Sequence, residues 1–117
     1  MARDVARGDV WMYRFKAPDK RRPVVVLSRG AVIPLLHTVL VAPVTSTRRG
    51  APSEVPIGVE EGLKHESALS LDHVQTVEKS RLERYVGSLS AAKMKAVCAA
   101  LSIATGCEAA GTASIGD

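Results

Sequence analysis

The chain is 117 residues long, which suits one small domain and excludes an enzyme with a separate cofactor module. At 46% hydrophobic and 24% charged residues, it reads as a packed globular chain and not a disordered one. Charge is uneven: residues 1–49 carry ten Lys and Arg against three Asp and Glu, net +7, and residues 50–117 carry six against nine, net −3, so the first half suits an anionic partner.

The first residues, Met-Ala-Arg-Asp-Val-Ala-Arg-Gly-Asp, place charges where a signal peptide needs an apolar region. No apolar run approaches the ~18–20 residues that cross a bilayer. Cys98 and Cys107 make no disulfide framework, so a cytoplasmic chain with reduced thiols is expected. Residues 8–15 are β-formers with Trp11, Tyr13 and Phe15 on one face. Together with Tyr85 these are the only aromatics, which argues against a broad base-stacking platform. Lys16 to Arg22 form a basic, Pro-containing loop, and Pro23 to Ser28 read as a strand buried on both faces. Residues 37–45 form a long strand in which Pro43 predicts a bulge or an edge. A second basic turn, Thr45 to Pro52, precedes short strands at Ser53–Ile57, Ser67–Leu71 and Val74–Val77. Ser90 is a candidate N-cap for a helix over about residues 91–105, with Met94, Val97, Cys98, Leu101 and Thr105 on its apolar side and Gly106 as its stop. The pattern predicts one domain over residues 1–107, a small antiparallel β-barrel with a C-terminal helix, and a disordered tail over residues 108–117.

Several chemistries find no support. No Gly-rich loop opens a helix, no carboxylate cluster suits a two-metal nuclease, and the two Cys and three His lack metal-ligand spacing. What remains is Arg21-Arg22-Pro23 at a loop–strand junction and Thr45-Ser46-Thr47-Arg48-Arg49 at a strand end. Guanidinium forks and hydroxyls both donate to phosphate oxygens, so a phosphodiester fits such a site. RNA can be cut without metal when its 2′-hydroxyl is aligned on the neighbouring phosphorus and the developing charge is stabilised.

Arg7-Gly-Asp-Val-Trp11, Arg21-Arg-Pro-Val-Val-Val-Leu-Ser28 and Val41-Ala-Pro-Val-Thr-Ser46 resemble the MazF/PemK family of toxin endoribonucleases, as do Gly62-Leu-Lys-His-Glu-Ser67, Leu71 to Leu82 and Gly87-Ser-Leu-Ser90. The similarity spans about residues 6–106. It implies an SH3-like barrel with a C-terminal helix, a homodimer, and cofactor-free, sequence-specific cleavage of single-stranded RNA to 2′,3′-cyclic phosphate and 5′-hydroxyl ends. It implies neutralisation by a MazE-type antitoxin whose acidic disordered tail would lie on the basic groove of Lys16, Lys20, Arg21, Arg22, Arg48 and Arg49. The family's catalytic Arg and Thr fall on Arg22 and Thr45. Lys16, Lys20, Arg21, Ser46, Arg48, Arg49, Asp72, His73 and Gln75 are the expected RNA contacts, with His73 a base or a reader of a nucleotide edge. Many members have Asp-Gln-x-Arg-Thr where this chain has Asp72-His-Val-Gln-Thr76, so recognition there differs. Two other readings stay open. A non-enzymatic branch of the same fold inhibits DNA gyrase through a C-terminal Trp, which this chain lacks after position 11; a non-catalytic RNA-binding module would use the same basic loops.

Overall fold

The computed structural model describes residues 4–16 and 21–107; Lys20 and the tail expected over 108–117 lie outside the described residues. Seven antiparallel strands, β1 Asp9–Arg14, β2 Arg21–Val26, β3 Thr38–Thr45, β4 Glu54–Ile57, β5 Ser67–Ser70, β6 Gln75–Glu78 and β7 Leu82–Ser88, are followed by helix α1, Ala91–Thr105. The sheet order is β4-β5-β3-β2-β1-β7, with β6 also paired to β3. The path is open, because no ladder among the described residues joins β4 to β7. The barrel is therefore approximate. Its seam closes by packing: a Cβ on Gly87 would sit 2.8 Å from the Glu61 carbonyl carbon and closer still to its oxygen, so only glycine lets β7 approach the turn after β4.

Period-2 alternation sorts the strands onto two faces. On one, Val10, Val25, Ala42, Val44, Ile57 and Leu69 pack under α1 through Val97 and Ala100. On the other, Trp11, Tyr13, Val24, Val26, Val39, Val41 and Val77 form a second cluster. Val24, Val25 and Val26 are all fully buried, as the unbroken apolar run predicts. Each contributes at most ~1.5–3 kcal/mol over an exposed side chain.

Pro43 has a specific place. On one edge β3 pairs β6 up to Val41↔Gln75, then β5 from Val44↔Leu69. Pro43 falls in the gap between these two partners, where a missing N–H costs the ladder little. The Arg7-Gly-Asp-Val-Trp segment is structural. The buried Asp9 carboxylate accepts from the Ala6 N–H at 2.9 Å, the Trp11 indole N–H at 3.2 Å and the Ser88 hydroxyl at 3.2 Å, tying β1 to β7. The Arg7 guanidinium donates to the Leu27 carbonyl and, at 3.3 Å, to Cys98 Sγ.

Three expectations need correction. Strand β2 begins at Arg21, not Pro23, so both arginines belong to the ladder, opposite Arg14 and Tyr13. Strand β7 was not among the expected elements: its Leu-Glu-Arg-Tyr-Val-Gly-Ser sequence has a broken alternation, which matches the register shifts between β1 and β7. Helix α1 has its Ser90 cap, accepting from the Lys93 N–H at 3.1 Å, and its Gly106 stop at φ 77°. Its buried stripe, however, is Val97 and Ala100, flanked by Met94, Leu101 and Ala104. Cys98 and Thr105 are exposed.

Candidate functional site

The paired residues Val24↔Pro43, Val25↔Ala42 and Val26↔Val41 set the register of β2 against β3. The ladder ends at Val24↔Pro43, and the same register extended by two residues would align Arg22 with Thr45. Alternation puts both on the face carrying Val24, Val26, Val39 and Val41. Arg22 and Thr45 line one cleft of about 370 Å³, together with Phe15, Pro43, Thr47, Arg49, Glu54, Ser70, His73 and Gln75.

The polar groups of this cleft are held in place. Thr45 Oγ1 accepts from the Thr47 N–H at 3.1 Å, which leaves its own proton to be donated. Ser70, buried on β5, has Oγ 2.7 Å from His73 Nδ1; the imidazole is thereby oriented and Nε2 stays clear of that contact. Glu54 Oε1 accepts from the backbone N–H groups of Arg49 and Gly50, both at 3.1 Å, closing the β3–β4 loop and holding Arg49 at the rim. The Arg22 guanidinium makes no ion pair or hydrogen bond among the described residues.

Other sequence-predicted residues lie elsewhere. Arg21 points its guanidinium at Glu83, Nε to Oε1 2.8 Å, and Arg14 shares the same carboxylate at 3.3 Å. These partners are exposed, and such a pair contributes at most ~1 kcal/mol. The Asp72 carboxylate accepts from the hydroxyl of buried Ser53, pinning the turn after β5 to the segment before β4. Ser46 and Arg48 are exposed on the loop after β3, and Lys16 is exposed just after β1. None of these five lines the cleft. Among the described residues no three His, Cys, Asp or Glu side chains converge as a metal site, and no helix is long and apolar enough to cross a membrane.

Residues 6–105 match the family of PemK-like, MazF-like toxins of type II toxin–antitoxin systems. The chain belongs to this toxin family. It is similar to the probable endoribonuclease MazF5 of Mycobacterium tuberculosis, 45% identical over 103 residues that cover 87% of this chain and 94% of that protein. It also resembles endoribonuclease MazF3 of the same species, 42% identical over 71% of this chain and 81% of the relative. Among solved structures, the Mycobacterium tuberculosis toxin MazF-mt6 superposes with a TM-score of 0.77 at 37% identity, covering 83% of this chain and 95% of that one. A mycobacterial endoribonuclease in complex with its cognate antitoxin gives 0.78 at 26% identity, covering 87% and 95%.

Within the MazF fold, Thr47 of the hydroxyl-rich strand end lines the cleft, and sequence reasoning missed Phe15, Glu54 and Ser70 as cleft residues. For two of them the signal was present. Alternation carries Phe15 onto the face of Trp11 and Tyr13, and sets Glu54 opposite in sense to buried Val55 and Ile57. Ser70 gave no such signal, because its strand is buried on both faces.

Proposed function

We propose that this chain is the toxin of a type II pair and an endoribonuclease cutting single-stranded RNA at specific sequences, without a metal, by attack of a 2′-hydroxyl on the adjacent phosphorus. One observation carries the reading: Arg22 and Thr45, on neighbouring strands, line the same cleft. In the proposed step the 2′-oxygen bonds to phosphorus and the bond to the 5′-oxygen breaks. The products are a 2′,3′-cyclic phosphate and a 5′-hydroxyl. Arg22 stabilises the charge gathering on the non-bridging oxygens. Thr45 donates its hydroxyl to one of them, since Thr47 already occupies its acceptor side. His73, steered by Ser70, takes the proton of the attacking hydroxyl, and solvent water supplies the proton to the leaving 5′-oxygen, the resulting hydroxide taking up the proton held on His73. Gln75 and Arg49 hold neighbouring nucleotides, the exposed loop residues Ser46 and Arg48 extend that contact beyond the cleft, and Lys16, Lys20 and Arg21 draw in the polyanion. Unpaired RNA is required because an A-form duplex hides its base edges.

A homodimer and a MazE-type antitoxin with an acidic, disordered tail complete the proposal. The net +7 of residues 1–49 supports it, because an acidic tail folding onto the groove competes with RNA for the same charges.

Digestion of a mixed RNA, with a gyrase supercoiling assay alongside, tests the function. Discrete fragments with 5′-hydroxyl ends, formed in the presence of EDTA, are expected, with supercoiling unaffected. RNA left intact while supercoiling stops would assign the chain to the gyrase-inhibiting branch; intact RNA that is merely bound would make it a binding module.

A further inference from the structure

We infer that Glu54 is a specificity-determining residue that selects a nucleotide whose base carries an exocyclic amino group, beside the scissile linkage. This rests on the endoribonuclease reading above. Glu54 is the one carboxylate among the described cleft residues. A carboxylate facing a polyanion is repelled unless it meets a hydrogen-bond donor, and the donors that RNA offers are base N–H groups and ribose hydroxyls. Oε1 is already committed to the Arg49 and Gly50 N–H groups. Oε2 takes no bond from the described residues, so one carboxylate oxygen of this cleft residue remains free to accept.

Its place in the sheet separates it from the chemistry. β4 is two strands from β3 in the order β4-β5-β3, and neighbouring strands are ~4.8 Å apart. The pairs Glu54↔Ser70 and Thr45↔Ala68 set Glu54 two strands across and two residues along from Thr45, about 12 Å between backbones, a spacing suited to neighbouring nucleotides. The register supports this: Glu54 is opposite Ser70 on β5, so the carboxylate extends the floor of the cleft beyond Pro43. An acceptor there favours adenine, cytosine or guanine, whose amino groups donate. It disfavours uracil, whose lone N–H sits between two carbonyl oxygens.

Glu54→Gln isolates the effect. The amide oxygen still accepts from Arg49 and Gly50, so the loop keeps its bonds, and only the outward atom changes from acceptor to donor. Parent and variant are compared on an oligonucleotide library randomised around the cut site, by sequencing the 5′-hydroxyl ends. The same library with a single 2′-O-methyl ribose immediately 5′ of the scissile phosphate, which cannot be cut there, is used to measure binding. The expected result is a change of about tenfold, at one position flanking the cut, from amino-bearing bases towards uracil, in both cleavage and binding. An unchanged preference at every position overturns the inference, whether the rate is kept or lost. A uniform loss of rate would make Glu54 part of the proton transfer, and a uniform loss of binding would make it a ribose contact. If the parent binds amino-bearing sequences selectively but cuts none, the endoribonuclease reading fails while the selectivity of Glu54 stands.

Discussion

Arg22→Ala is expected to lower the rate of RNA cleavage by about 10²–10³-fold, the usual effect of removing one preorganised charge-stabilising donor. The structural basis is a contrast between two adjacent arginines. Arg21 is engaged with Glu83 at 2.8 Å, on the opposite side of the strand. Arg22 has its backbone fixed in the ladder opposite Tyr13, while its guanidinium has no partner among the described residues and lines the cleft. A fixed stem with a free head is what a phosphate-binding fork requires. Because Arg22 is exposed, its removal changes stability by no more than ~0.5 kcal/mol, so a melting curve close to the parent's accompanies the lost activity. Arg22→Lys keeps the charge and loses the planar fork, and falls between alanine and the parent. Arg14→Ala, which removes the other guanidinium on Glu83, serves as the control and retains most of the rate. Initial rates on one oligoribonucleotide measure all four proteins. A fully active Arg22→Ala protein would remove the guanidinium from the mechanism.

The second large effect is expected at Thr45. Thr45→Val keeps the branched shape of a half-buried strand residue and suits a strand at least as well. It deletes the hydroxyl that accepts from the Thr47 N–H and is proposed to donate to the phosphate. A loss of about 10²-fold in rate is expected, at the low end of what positioned proton donors and acceptors supply. Thr45→Ser restores the hydroxyl and recovers activity to within about tenfold, the remainder reflecting the rotamer freedom that the β-methyl otherwise restricts. If valine and serine at this position behave alike, the hydroxyl has no part in the chemistry. Arg22 and Thr45 are expected to act as a unit, so the double variant should lose less than the product of the two single losses.

Much of this was legible in the residues. The buried β2 run, the Ser90 cap and the Gly106 stop follow from local chemistry that tertiary context does not override. The proximity of Arg22 and Thr45 follows from one register, which a sequence does not display: a shift of a single residue would turn one of them to the other face. The same limit explains Arg21 and Asp72. Both sit in motifs that look functional, yet Glu83 and Ser53, distant in sequence, engage them through contacts. β7 escaped because its irregular pairing with β1 breaks the alternation by which a strand is read. Glu54 was overlooked because a charged residue at a strand start resembles an ordinary solvent-facing position until β5 and β3 are laid beside it.

The most direct measurement uses one oligoribonucleotide with a single cut site and its twin carrying a 2′-deoxyribose immediately 5′ of the scissile phosphate. With the wild-type chain, the all-ribose strand is expected to yield a 2′,3′-cyclic phosphate and a 5′-hydroxyl, and the twin to bind comparably and remain whole. Cleavage of the twin, or a 5′-phosphate on the products, would mean that water and not the neighbouring hydroxyl attacks phosphorus, contradicting the mechanism built on Arg22 and Thr45.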